Sequence, residues 1–266
     1  MAQGLKNLDL ETRKAWEENW RQLSVEQALE IFDYPRVKKN VGIFMKFMPK
    51  DRPVLEGGCG IGPYLIYFRS LGYGMVGMDY DRNALKKITG FDAKVPVCCA
   101  DVSRVPFADA SFGAYLSLGV IEHFSDGPAR AVSEAFRVLV PGGYFIVHVP
   151  RFSIFQRLKY PVNLLKRNSF IRKILGKEPR RYYWEQYFSV SVLSGILKEA
   201  GFGIESVIPA DHEHALMSFC SFLFRDKKSY DGPSRLGAAA GGFCEKCLPW
   251  SSADSMIFIC KKPKNG

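Results

Sequence analysis

The sequence has few histidines, an odd number of cysteines and no long apolar run. Its 266 residues include four histidines and seven cysteines. No stretch approaches the roughly twenty apolar residues that cross a bilayer, and no apolar signal core follows Met1. The odd cysteine count and the adjacent pair Cys98 and Cys99 argue against a disulfide framework and favour a reducing compartment. These absences predict a cytoplasmic protein without a membrane span.

Residue types that bind metals are present but too sparse to predict a metal site. Cys244 and Cys247 form a single CxxC pair with no second pair at zinc-site spacing. His212 and His214 alternate without a fixed third ligand. We expect free thiols at the cysteines, a solvated loop at the two histidines and no bound metal.

The positive charge of the chain is concentrated in one segment. The formal net charge is +10. Residues 151–181 alone contain ten lysines and arginines and one acid, an excess of nine positive charges. Such a local excess indicates an anionic partner at one place.

Apolar side chains lie between the charges of this basic segment. Within it, Leu164, Leu165, Ile171, Ile174 and Leu175 fall on one helical face. A basic helix with an apolar face is typical of a peripheral element on an anionic membrane. The alternative is a lid helix that packs its apolar face on the domain and leaves its basic face in water.

Short apolar runs alternate with helical patterns along the middle of the chain. This alternation predicts a parallel, doubly wound α/β sheet. Residues 5–50 are predicted to be helical, and two insertions, 151–187 and 210–254, interrupt the pattern, the second with a flexible stretch at 237–242. Pro141-Gly142-Gly143 is predicted to break the chain before the fifth strand. The predicted strands are 53–56, 74–79, 95–99, 113–118, 144–149, 204–208 and 256–260, and the predicted helices are 61–71, 82–88, 128–139 and 190–200.

A glycine-rich turn and two acids follow three successive predicted strands. Gly58-x-Gly60-x-Gly62 comes after the first strand and is one residue shorter than the dinucleotide fingerprint. Asp79 ends the second strand, where it could accept hydrogen bonds from ribose hydroxyls. Asp101 follows the third strand, where it could accept from an exocyclic amine such as that of adenine. Each feature alone is typical of a loop, but together they indicate a nucleoside-containing ligand at one edge of the sheet.

These motifs resemble those of the class I S-adenosylmethionine-dependent methyltransferases, especially the methyltransferase type 11 group. The resemblance covers residues 50–150 closely and 188–208 more loosely. At Gly113 this sequence departs from the family, which usually has an aspartate there, and we expect a local difference at the start of the fourth strand. The matching segments are Val54 to Gly62, Val76 to Asp79, Ala100 to Val102, Val105 to Phe107, Ser111 to Gly113, Val120 to His123 and Leu139 to Gly143.

The resemblance implies a fold and a set of binding residues. The fold is a Rossmann-like, seven-stranded sheet of order 3-2-1-4-5-7-6 with an antiparallel last strand. Residues 1–50 would form an N-terminal helical lid on a methyltransferase domain at 51–266. The implied cofactor is S-adenosyl-L-methionine, and the product S-adenosyl-L-homocysteine. The implied roles are Glu56, Gly57, Gly58, Gly60 and Gly62 for the methionine portion, Asp79 for the ribose, Tyr80 packing on the adenine, Asp101 and the Val102 amide for the adenine edge, and Leu118 and Gly119 for the methyl end.

The methyl acceptor is the least determined part of the prediction. An acceptor that still holds its proton at pH 7 needs a general base, and the candidates are His148 and His123. We favour a small-molecule acceptor or one linked to a lipid or glycan. A nucleic-acid acceptor bound by the basic segment is the alternative, although the motifs of enzymes that methylate base amino groups or cytosine C5 are absent. A non-catalytic cofactor-binding scaffold is the third possibility, and the sequence predicts no oligomeric state.

Overall fold

The described part of the chain contains one seven-stranded sheet. The structure is a computed structural model that describes residues 2–159, 185–226 and 232–264, with backbone only for residues 2–8. The strand order is β3-β2-β1-β4-β5-β7-β6; β1 to β5 pair in parallel, and β7 runs antiparallel to β5 and β6. This confirms the predicted fold class and order. The strands are β1 (Val54–Gly57), β2 (Met75–Asp79), β3 (Val97–Cys99), β4 (Phe112–Leu118), β5 (Leu139–Pro150), β6 (Gly203–Ala210) and β7 (Ser255–Lys261).

Helices cover both faces of the sheet. One face packs on side chains of α6 and α7, and the other on side chains of α3, α4 and α5. Both faces of the central strands are therefore buried, as parallel strands require. The helices are α1 (Ala2–Gln22), α2 (Val25–Leu29), α3 (Pro35–Phe44), α4 (Pro63–Ser70), α5 (Arg82–Phe91), α6 (Ala129–Val138), α7 (Val190–Glu199), α8 (His212–Phe219), α9 (Ser221–Phe224), α10 (Arg235–Cys247) and α11 (Pro249–Ser252), with 3-10 turns at Glu30–Asp33 and Ile121–His123.

The fifth strand is longer than its sequence pattern predicts. Pro141, Gly142 and Gly143 do not break the chain before the strand, because all three lie inside β5. The pairing of β4 with β5 shifts register between Phe112 and Ala114, so that residues 140–143 of β5 have no paired residue in β4. Gly113 lies at this shift, and a β-carbon there would be 2.6 Å from Pro49 and 2.8 Å from Arg52. The glycine thus lets the chain before β1 pass against the start of β4.

The predicted flexible glycine stretch at 237–242 is wrong. These residues belong to α10, and the described part of the predicted insertion 210–254 contains the helices α8 to α11. A β-carbon at Gly237 would be 2.2 Å from the carbonyl oxygen of Phe224 in α9. At Gly241 it would be 2.4 Å from Cγ of Glu213 in α8. The glycines therefore permit close helix packing, which outweighs their low helix propensity.

Only the ends of the predicted insertion 151–187 are described. Residues 154–159 are helical, whereas the amphipathic pattern around Leu164 to Leu175 lies outside the described residues. Helices are present across most of the predicted N-terminal lid, residues 1–50. The division at residue 50 stays a prediction. Among the helices that the structure describes, none is long and apolar enough to cross a membrane.

Candidate active site

A cavity of about 800 Å³ opens at the carboxyl edge of the parallel strands. Open α/β sheets bind ligands at this edge, where the loops after successive strands meet. One end of the cavity is lined by Asp79, Tyr80 and Asp101, which lie at the carboxyl ends of β2 and β3. The other end is lined by His148 and by residues that follow β6 and precede β7.

The glycine-rich turn after β1 has the backbone conformation that glycine favours. Gly58 has φ 75° and Gly60 has φ 55°, both in the left-handed region. A β-carbon at Gly58 would lie 2.5 Å from Cγ2 of Val120, and one at Gly60 would lie 2.7 Å from the ring of Trp20. The turn is thus held close both to the end of β4 and to α1.

Asp79 fastens this turn to the second strand. Its Oδ2 accepts a hydrogen bond from the Gly60 amide at 2.8 Å, and its Oδ1 accepts one from the Asp81 amide at 2.8 Å. The side chain is buried, and burial raises the pKa of Asp79 above its ordinary value. Asp79 therefore has a structural role as well as the predicted role toward ribose.

Asp101 is joined to the N-terminal helix. It accepts hydrogen bonds from the amide and hydroxyl of Ser103 at 2.8 and 2.7 Å and forms an ion pair with Arg13 of α1. Burial would raise the pKa of Asp101, but the hydrogen bonds from Ser103 and Arg13 hold it below its ordinary value. The Arg13 guanidinium also lies 4.9 Å from the centre of the Tyr80 ring. Residues of α1 thus cover the end of the cavity next to β2 and β3.

Two buried carboxyl groups on the cavity wall have an oxygen without a hydrogen-bond partner. Glu56 at the end of β1 and Glu122 after β4 each leave Oε2 unpaired among the described residues. Burial raises the pKa of Glu56 to about 8 and that of Glu122 to about 8. A buried carboxyl with a vacant lone pair is suited to a cationic hydrogen-bond donor.

The opposite end of the cavity contains a histidine paired with a buried aspartate. Nε2 of His148 lies 2.8 Å from Oδ2 of Asp211 and 2.8 Å from Oγ of Ser255. Asp211 also accepts from Nδ2 of Asn40 at 3.0 Å and from the Ser255 hydroxyl at 2.5 Å. Burial opposes ionisation of Asp211, but His148, Arg36 and Ser255 hold its pKa well below the usual range.

A second histidine and aspartate pair lies beside the first. Nδ1 of His214 is 2.8 Å from Oδ2 of Asp254, whose Oδ1 accepts from Ser153 at 3.1 Å. His212 points elsewhere and is buried against Ser252 at 2.8 Å. The predicted solvated loop at His212 and His214 is therefore wrong, because both residues lie in the first turn of α8. Among the described residues, no group of three or more potential ligands could hold a metal ion.

Comparison with known proteins identifies the family of this site. Residues 55–147 match the model of the methyltransferase domain family. A probable S-adenosylmethionine-dependent methyltransferase of Mycolicibacterium smegmatis is 28% identical over 162 residues, which cover 60% of this chain and 56% of that protein. Residues 55–147 therefore form a methyltransferase domain, and the chain is similar to S-adenosylmethionine-dependent methyltransferases. This confirms the predicted family and the predicted cofactor.

Two further similarities concern a partial relative and the fold. The human probable tRNA methyltransferase 9B is 34% identical over 121 residues, which cover 44% of this chain and 24% of that protein. A crystal structure of an S-adenosylmethionine-dependent methyltransferase from Methanosarcina mazei has a TM-score of 0.57 and 16% identity, covering 83% of this chain and 97% of that one. This structural match supports the fold. The chain spans about half of the mycobacterial relative and a quarter of the human one.

The residues of this methyltransferase fit the cofactor that the family uses. The unpaired oxygen of Glu56 is suited to the ammonium group of the methionine portion, and the carboxylates of Asp79 and Asp101 are suited to ribose and adenine donors. S-adenosylmethionine, when bound, supplies a methyl group on a positively charged sulfur. The assignment of single residues to parts of the cofactor stays a prediction.

The predicted site residues of the methyltransferase fall into two groups. Those that line the cavity are Glu56, Gly58, Asp79, Tyr80, Asp101, Val102, Leu118, Gly119, His123 and His148. Gly57, Gly60 and Gly62 shape the turn without lining it: a β-carbon at Gly57 would be 2.0 Å from the Tyr115 hydroxyl, and Gly62 precedes α4. His123 lies 3.9 Å from Glu122 and packs edge-on against Trp16 of α1.

Sequence reasoning missed several residues of the cavity. Arg13, Trp16 and Trp20 come from α1, and their helical spacing indicated only packing. Asp211 and Asp254 belong to segments that were predicted to be loops. Nothing in the spacing of these residues indicated which of them would face the cavity.

Proposed function

We propose that this methyltransferase transfers the methyl group of S-adenosylmethionine to a small or lipid-linked acceptor bound beside His148. The observation that carries the proposal is the continuity of the cavity from Asp79 and Asp101 to His148 and Asp211. Its volume of about 800 Å³ lies within the range of small-molecule sites, roughly 300–1,000 Å³. One cavity can therefore hold the cofactor and the reacting group of an acceptor together.

The charge of the cavity wall supports an acceptor without phosphates at its reacting end. Arg13 and Arg36 are the only arginines or lysines among the described residues that line it. Eight acids line the same wall, and for two of them, Glu56 and Glu122, burial raises the pKa to about 8. The eight are Asp9, Glu56, Asp79, Asp101, Glu122, Glu185, Asp211 and Asp254. Nucleic-acid backbones are bound mainly by lysine and arginine, so this wall favours a neutral or cationic group.

The surface of α10 supports a lipid-linked acceptor. Leu236 and Phe243 lie two helical turns apart on one exposed face of this helix, with Arg235 and Lys246 beside them. The helix packs through Gly241 on α8, which carries the cavity residue His214. Exposed apolar side chains with basic neighbours are typical of surfaces that bind anionic membranes. Residues 151–181, which have nine excess positive charges, follow β5 in the sequence.

The alternative acceptor is RNA. The sequence similarity to proteins named as tRNA methyltransferases favours it, and the basic segment 151–181 could bind phosphates. The acidic wall of the cavity argues against it.

Transfer of a labelled methyl group into cell fractions separates these functions. The purified protein is incubated with S-adenosylmethionine labelled in its methyl group and with lipid, RNA and small-molecule fractions of a cell extract. We expect label in the lipid or small-molecule fraction, and none with Glu56→Gln. Label in RNA that is lost on ribonuclease treatment would replace the proposal with the alternative. Transfer to no fraction, with S-adenosylhomocysteine still bound, would indicate a non-catalytic scaffold.

A further inference from the structure

We propose that the acceptor group is a hydroxyl, that Nδ1 of His148 takes its proton, and that Asp211 is the positioning residue that holds the ring proton on Nε2 and so leaves Nδ1 without one. The inference rests on the proposed function and extends it to the acceptor atom. It joins three elements that are distant in the sequence: the end of β5, the residue after β6 and the first residue of β7.

The hydrogen bonds around Asp211 fix the tautomer of His148. An ionised carboxylate only accepts hydrogen bonds, and Asp211 already accepts from Asn40 and Ser255. The nitrogen of His148 that faces Asp211 and Ser255 at 2.8 Å is Nε2, which must therefore carry the proton. Nδ1 is then the unprotonated nitrogen of the neutral ring.

His148 lies beside the residues predicted at the methyl end of the cavity. His148 lines the cavity, and its carbonyl oxygen accepts from the Gly119 amide at 2.9 Å. It pairs with Leu118 across β4 and β5, and Leu118 and Gly119 are the residues predicted at the methyl end. Within the described part of the chain, Nδ1 forms no hydrogen bond that would compete with an acceptor.

The backbone at Asp211 is strained in a way that keeps the pair together. Asp211 has φ 58° and ψ 39°, a left-handed conformation that residues other than glycine adopt rarely. Strained residues persist where the surrounding contacts determine them, and they are frequent at functional sites. Here Asn40 and Ser255 hold the carboxylate from two sides, so that it cannot turn away from His148.

The proposed step balances its atoms and charges. An oxygen lone pair of the acceptor forms a bond to the methyl carbon, while the carbon–sulfur bond breaks and leaves its electron pair on sulfur. The hydroxyl proton passes to Nδ1 of His148, and the ionised Asp211 stabilises the resulting imidazolium. The proton later leaves to solvent, and the ring returns to its starting tautomer.

Other charged groups face this pair from the neighbouring elements. Arg36 of α3 and Tyr64 of α4 interact electrostatically with Asp211. His214, Asp254 and Glu185 line the same end of the cavity. Because these groups also titrate, a pH profile of activity alone would not assign the base.

The tautomer can be measured without knowing the acceptor. The protein is labelled with ¹⁵N-histidine and saturated with S-adenosylhomocysteine, and long-range ¹H–¹⁵N spectra are recorded at neutral pH. His148→Gln assigns one of the four histidine signal sets. We expect a protonated Nε2 and a bare Nδ1 for His148, and a change in this distribution in Asp211→Asn. The matched control is Asp109→Asn at an exposed aspartate that pairs with Arg137, and it should leave the signals unchanged. A proton on Nδ1 in the unsubstituted protein would overturn the proposal.

A second measurement identifies the acceptor atom. Product formed from ¹³C-methyl-labelled S-adenosylmethionine is examined by NMR, in which methoxyl carbons differ from methyl groups on nitrogen, sulfur or carbon. We expect methoxyl, and a fall of about 10²–10⁴-fold in transfer by Asp211→Asn with unchanged affinity for S-adenosylhomocysteine. A methyl group on another atom overturns this inference and leaves the proposed function standing. Transfer to no fraction overturns both.

Discussion

Protonation of Glu56 should control the binding of S-adenosylhomocysteine. Burial raises the pKa of this carboxyl to about 8, because no hydrogen-bond partner in the described residues stabilises Oε2 as an anion. At pH 7 about nine in ten Glu56 side chains are then protonated in the free protein. The ammonium group of the ligand favours the ionised form. Binding at pH 7 should therefore release about 0.9 proton per site.

The same argument gives the direction and size of the pH dependence. A raised pKa means that the carboxyl is neutral at low pH, so binding weakens as the pH falls below about 8. The apparent affinity should rise about tenfold per unit well below the pKa and level off above it. Between pH 6 and pH 8 the expected gain is about 50-fold, or about 2.3 kcal/mol.

Isothermal titration calorimetry tests this prediction. Titrations with S-adenosylhomocysteine at pH 6, 7 and 8, each in two buffers of different ionisation enthalpy, give affinity and proton release together. Glu56→Gln should remove both the release and the slope. Glu122→Gln changes the other buried carboxyl on the cavity wall and should keep them. Affinity independent of pH in the unsubstituted protein would refute the reasoning, and a slope that survives in Glu56→Gln would assign it to another titratable group of the cavity, such as Glu122.

Three further predictions concern the cofactor end and the basic segment. Asp79→Ala should weaken the binding of S-adenosylhomocysteine by about 1–3 kcal/mol, and the variant should still unfold cooperatively. An affinity that is unchanged in calorimetry would show that Asp79 does not bind the ribose. Gly60→Ala should lower the free energy of unfolding by about 1–2 kcal/mol, because residue 60 has a left-handed backbone and its β-carbon would contact Trp20. The control Gly42→Ala, with open space around the added methyl group, should not lower it. Equal melting temperatures of the two variants would contradict this prediction. For the basic segment 151–181, we expect more protein to co-sediment with anionic liposomes than with neutral ones at low salt. If binding depends neither on lipid charge, nor on salt, nor on four substitutions in this segment, the segment is an ordinary lid. The substitutions are Lys166→Gln, Arg167→Gln, Arg172→Gln and Lys173→Gln.

The fold and the meeting of Asp79 and Asp101 at one edge of the sheet could be predicted because their signals are local. The turn after β1 contains its glycines within five residues, Asp79 is the last residue of β2, and Asp101 lies two residues after β3. Carboxyl ends of parallel strands meet at one edge, so strand order alone brings these residues together. Local sequence patterns gave a wrong prediction where tertiary packing determines the structure. The glycines at 237 and 241 indicated a flexible stretch, but they allow α10 to approach α9 and α8 closely.

The end of the cavity that contains His148 was decided by tertiary structure. His148 and Asp211 are 63 residues apart, and His148 and Ser255 are 107 apart. No periodicity or motif links them, because their contact depends on how β6 and β7 pair with β5. The sequence by itself determined a methyltransferase sheet and the edge of the sheet at which the cavity opens. Only the antiparallel pairing of the last strands, together with the left-handed turn at Asp211, placed a buried carboxylate against the imidazole of His148.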